Sequence, residues 1–124
     1  MAVTYDLTGG LQKVKWTWTC SCLGAYSEAT TNRFNGQAFR LITIPHATAP
    51  TTLYDITIKD ADGVDVLNGL GADRSATVTE QKSMSDGLGV IKSSLLTLAV
   101  ANAGDEKLGT VILYILDLDK GVLG

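Results

Sequence analysis

The chain has 124 residues, 45% of them hydrophobic and 19% charged, with a net charge of −3. That length suits one domain with its own core, and the composition excludes a disordered polymer. Ten basic residues scattered among thirteen acidic ones argue against direct nucleic-acid binding, which draws on Lys and Arg neutralising phosphates, and no apolar run reaches the ~20 residues that span a bilayer as a helix.

In chain order, Val3, Tyr5 and Leu7 alternate with Ala2, Thr4, Asp6 and Thr8 and then meet Gly9-Gly10, which predicts a short strand ending in a turn. No basic stretch followed by an apolar core begins the chain, so no secretory signal is expected, and cytoplasmic synthesis is. The next segment has the cleanest period of two. Val14, Trp16, Trp18, Cys20 and Cys22 share one face, and Lys13, Lys15, Thr17, Thr19 and Ser21 share the other. A strand with one dry and one wet face belongs to an antiparallel sheet. Cys20 and Cys22 would have α-carbons roughly 6.5 to 7 Å apart, at or beyond the limit for a disulfide. Two reduced, buried thiols are expected.

Residues 24–36 are polar and close on Asn35-Gly36, a turn signal, with an edge strand around Tyr26–Thr31. Phe39–Ile44 reads as a strand stopped by Pro45, and 46–52 as a loop. Leu53–Lys59 places Tyr54, Ile56 and Ile58 on one side. Asp60-Ala-Asp-Gly63 then fits a type I turn with a left-handed glycine, and Val64–Leu67 reads as the returning strand. Residues 68–94 hold at most short strands, around Ala76–Gln81 and Leu88–Ile91. Leu95–Val100 and Thr110–Leu116 read as a closing hairpin of central strands.

Seven or eight short strands with frequent turns predict an all-β, antiparallel β-sandwich spanning residues 1–124, with jelly-roll or Greek-key connections. Helix should fall below about a tenth of the chain, against the usual third. The expected core is Val14, Trp16, Trp18, Tyr54, Ile56, Ile58, Leu96, Leu98, Val100, Ile112 and Tyr114.

Little in the chain is suited to chemistry. Asp60, Asp62 and Asp65 suggest a calcium loop, but glycine stands at the fourth position instead of the sixth, and Gly71 occupies the place of the bidentate Glu. Turn capping is the expected role of these carboxylates. Gly69-Leu-Gly71 and Gly87-Leu-Gly89 lack the rest of a phosphate loop. The sole histidine, His46, follows a strand-ending proline and reads as a loop residue. No catalytic, cofactor-binding or metal site is expected, and the chain does not read as an enzyme.

The run Tyr54–Arg74, with Leu95–Gly104 and Gly109–Ile115, resembles blocks found in small virion proteins of tailed bacteriophages. The resemblance covers roughly residues 50–117 and leaves out the Trp-Thr-Trp-Thr-Cys-Ser-Cys segment. It implies a capsid cement or decoration protein on the exterior of an HK97-type shell, with the major capsid protein as partner. It also leaves room for a neck, tail or fibre-associated component. A carbohydrate-binding module is a third reading, and it requires Trp16 or Trp18 to be exposed. A homo-oligomer is expected, a dimer before a trimer. The expected interface segments are Val3–Leu7 and Leu118–Gly124, with neither nucleic acid nor membrane as partner.

Overall fold

Alternation in the second strand sets the phase of the whole structure: Val14, Trp16 and Trp18 are fully buried, while Lys15 on the opposite face is exposed. A computed structural model describes residues 2–19, 26–46, 54–104 and 107–117. Among them run nine strands: β1 (Ala2–Asp6), β2 (Leu11–Thr19), β3 (Tyr26–Ala29), β4 (Phe34–Pro45), β5 (Asp55–Lys59), β6 (Glu80–Ser83), β7 (Val90–Ser94), β8 (Thr97–Ala101) and β9 (Leu108–Asp117). The one helical element among the described residues is a 3-10 turn at Met84–Asp86.

The strands form two antiparallel sheets packed against each other. The larger has the order β1-β2-β9-β4-β6, with β7 also pairing β4, and the smaller has the order β3-β8-β5. From β2 to β5 each successive strand changes sheet, and β8 and β9 continue the alternation. This wrapping, with β9 returning between β2 and β4, makes the sandwich a jelly roll. The core lies between the sheets, where Trp16 and Trp18 meet Tyr54, Ile56, Ile58, Leu96, Leu98 and Val100.

Several sequence expectations are corrected. Nine strands among the described residues replace the seven or eight expected. Leu95–Val100 and Thr110–Leu116 do not form a hairpin, because β8 pairs β3 and β5 while β9 pairs β2 and β4. Val64–Leu67 returns antiparallel to β5 only as an isolated bridge, Lys59 to Asp65, with the Val66 amide donating to the Ile58 carbonyl at 2.8 Å, and not as a regular strand. Asp65 caps the turn instead: its carboxylate accepts from the amides of Ile58, Leu67 and Gly69 at 3.0–3.1 Å, in competition with a regular ladder. The short strands of the 68–94 region fall at Glu80–Ser83 and Val90–Ser94, later than expected.

Asn35-Gly36 is no turn but lies inside β4. Gly36 has φ +149°, and a β-carbon there would run into the backbone carbonyl of Leu116 on β9. The glycine serves a close approach of two strands, a use that a dipeptide pattern does not distinguish from a turn.

Ile112 and Tyr114 also change faces. Trp16 stands opposite Val111, and Val14 opposite Leu113, so the core side of β9 is Val111, Leu113 and Ile115, each 0% exposed. Ile112 and Tyr114 face outward, beyond the core cluster. Both parities of this strand are apolar, so alternation alone could not phase it.

Within the core, Tyr54 packs its ring against Trp18 at 5.6 Å between centroids. Among the described residues its hydroxyl and Thr43 Oγ1, buried near each other, make no hydrogen bond of regular geometry, and both indole N–H groups are buried without a partner. Burial pushes the Tyr54 phenol up to about 12, with the Thr43 hydroxyl and the Arg74 charge opposing and Glu80 adding to the rise. The folded chain therefore holds a proton that the unfolded chain releases near pH 10. The corresponding stability is fully present below pH 10 and is lost as pH rises through about 12. Tyr54→Phe should flatten the fall of the urea midpoint between pH 10 and 12. An unchanged fall would assign the alkaline transition to other groups.

Candidate interaction face

The two sheets present very different surfaces on their outer sides. On the smaller sheet, the positions alternating with the core residues are Ser27 and Ala29, Thr97, Ala99 and Ala101, and Asp55, Thr57 and Lys59. These are small or polar, as a solvated face should be. On the larger sheet, strand register places Ile42 beside Ile112, Ile44 beside Thr110, Arg40 beside Tyr114 and Leu11 beside Leu116. Its two central strands, β9 and β4, therefore carry an apolar stripe on the side away from the core.

The stripe is accessible at its margins. Ile42, Ile44, Tyr114 and Leu116 are half-buried, and Leu11 is 46% exposed. Ile112, at the centre of the row, and Thr110, beside Ile44, are buried, at 8% and 4% exposed. At one edge the surface continues into a shallow depression lined by Phe39, Arg40, Ser83, Met84 and Ser85. Phe39 is the extra residue of a bulge between Ala38 and Arg40 in the β4–β9 register. Such a bulge turns a side chain out of the regular alternation, and Phe39 and Met84 are 38% and 45% exposed.

Sequence reasoning missed this face. It read Thr110–Leu116 as a central strand with Ile112 and Tyr114 turned to the core. The run has the composition of a strand covered on both sides, and the second sheet covers the side that carries Val111, Leu113 and Ile115. A contiguous exposed apolar surface is the mark of a contact site.

The other candidates are placed as follows. Asp60 accepts from the amides of Asp62 at 2.9 Å and Val64 at 3.1 Å, and Gly63 has φ +79°. Asp55 accepts from the Asp73 amide and the Asn102 side chain. Of the three carboxylates that suggested a calcium loop, Asp60 and Asp65 thus cap turns, and no group of three or more potential metal ligands occurs among the described residues. Gly69 and Gly87 have positive φ, Gly87 at the end of the 3-10 turn.

His46 is half-buried, its Nε2 lying 2.7 Å from Thr110 Oγ1 at one end of the apolar stripe. Cys20, Cys22 and the expected interface segment Leu118–Gly124 lie outside the described residues. The other expected interface segment, Val3–Leu7, overlaps β1, which among the described strands is an edge strand paired with β2 alone. Trp16 and Trp18 are 0% exposed, so neither can stack on a sugar as the carbohydrate-binding reading requires. No helix among the described residues is long and apolar enough to cross a membrane. Comparison with protein-family models and with curated proteins finds no match for the chain.

Proposed function

We propose that the chain is a capsid cement protein of a tailed bacteriophage, binding the outer surface of the shell built by the major capsid protein and stabilising it. The observation that carries this reading is the apolar outer face of the larger sheet, accessible along its margins, set against the small and polar outer side of the other. The resemblance of the Tyr54–Arg74, Leu95–Gly104 and Gly109–Ile115 blocks to phage virion proteins supplies the partner. A rigid jelly roll offering one flat adhesive side suits a protein that works by contact. Many modest contacts, repeated over a shell, sum to substantial resistance against pressure from within. No catalytic step and no cofactor belong to this reading.

β1 adds a route to self-association. One of its sides is open among the described strands, and an open edge can pair with its own copy across a two-fold axis. A dimer built this way keeps the outer face of the sheet available to the shell.

The test is co-sedimentation of the purified protein with DNA-free shells of the same virus lacking this component. Saturable binding and a higher disruption temperature of the decorated shells are expected. Binding to purified tails with none to shells would replace the proposal with a neck or tail role.

A further inference from the structure

The charge carried by the larger sheet's outer face differs in sign from that of the whole chain. Lys13 and Lys15 on β2, Arg40 on β4 and Lys92 on β7 occupy outward positions beside the apolar stripe. Asp6, opposite Lys13 on β1, is the acid among these outward strand positions. Its carboxylate already accepts from the amide and hydroxyl of Thr8. The chain as a whole has a net charge of −3, and many of its other acids sit in the loops that bear the turn caps: Asp60, Asp62, Asp65 and Asp73.

Of these cations Lys13 faces Asp6, whose carboxyl is held below its usual range chiefly by the Thr8 hydrogen bonds and also by the Lys13 charge. Among the described residues the ion pair is Arg74–Glu80, and neither Lys15 nor Arg40 takes part in one. Arg40 donates from Nε to Gln81 Oε1 at 2.8 Å, and a second guanidinium nitrogen reaches the same oxygen. That neutral amide fixes the plane of the guanidinium without cancelling its charge, leaving further donors on the fork for a carboxylate.

We propose that this face docks on an acidic protein surface with an apolar centre, which, on the function proposed above, is the exterior of the shell. The apolar stripe supplies the buried centre of the contact, and Lys13, Lys15 and Arg40 supply a rim that steers and orients it. A second copy of the chain is a poor occupant. Stacking two such faces across a two-fold axis would set cations against cations, with Asp6 the acid available to offset them.

The experiment measures binding of full-length variants to the same DNA-free shells. Lys15→Glu with Arg40→Glu should weaken binding at least about tenfold at 0.15 M salt, with a smaller gap at 1 M salt where charges are screened. Ile44→Ser with Leu116→Ser should weaken it at both salt concentrations. Lys59→Glu, on the opposite sheet, should leave it unchanged. Circular dichroism and urea unfolding confirm that each variant is folded. Because Lys15 and Arg40 are exposed, the charge variants test the face even if the apolar pair does not fold. Three results would overturn the inference. One is tight shell binding by the folded charge-reversed variant. Another is a wild-type dimer that these variants dissociate, making a second copy the occupant. The last is wild-type protein that ignores shells altogether, which removes the proposed function as well; the first removes only the choice of face.

Discussion

Gly36→Ala is expected to lower stability by about 3 kcal/mol or more, a value at the upper end for a strained backbone position. Two penalties coincide at this site. The backbone has φ +149°, which L side chains rarely adopt, and the added methyl would meet the carbonyl of Leu116. That carbonyl belongs to β9, the central strand of the larger sheet, so relief requires β4 and β9 to move apart where Gly36 pairs Asp117 and Gln37 pairs Leu116. Domains of this kind are stable by about 5–15 kcal/mol, and a loss of that size is large on this scale. Urea unfolding followed by tryptophan fluorescence measures it. Gly9→Ala is the control: Gly9 also has positive φ, but a β-carbon there meets nothing within 4 Å. A Gly36→Ala loss no greater than the Gly9→Ala loss would show that the β4–β9 approach yields easily.

Trp18→Ala should cost about 3–5 kcal/mol, the usual range for deleting a large buried aromatic side chain. Trp18 is 0% exposed, stacks at a tilt on Tyr54 and faces Gly109 across the β2–β9 register. Trp18→Phe should cost much less. It loses volume but also removes an indole N–H that has no partner, whose burial is itself unfavourable. Gly109 completes the arrangement, because a β-carbon there would press into the Trp18 ring. Gly109→Ala should therefore destabilise the wild-type chain and do so far less in the Trp18→Ala background. Denaturation midpoints of the four proteins form a double-mutant cycle. A coupling near zero would show that the ring can shift aside and that the small residue opposite it is incidental.

These two sites explain the shape of the candidate face. Gly36 lets β4 lie close against β9, and Gly109 opposite Trp18 fixes which side of β9 enters the core. Once Val111, Leu113 and Ile115 are committed inward, Ile112, Tyr114 and Leu116 must face out. The adhesive stripe is thus a consequence of how the core is phased.

The sequence by itself determined the fold class, the main buried residues of β2, β5 and β8, and the absence of a recognisable catalytic motif. Each of those strands has a dry face and a wetter one, and a period of two is a local property readable without a partner. Turn chemistry was equally local: Asp60 and Gly63 build the turn that their types require. Tertiary structure alone decided what depends on a neighbour. The Asn35-Gly36 pair carries the composition of a turn, yet it sits inside a strand because β9 passes close by. Strands adjacent in sequence, β8 and β9, went to opposite sheets because jelly-roll wrapping pairs each with distant partners. The interaction face was hidden for the same reason. An apolar strand shows that it can be covered on both sides, and only the second sheet determines which side is covered within the molecule and which is left for another.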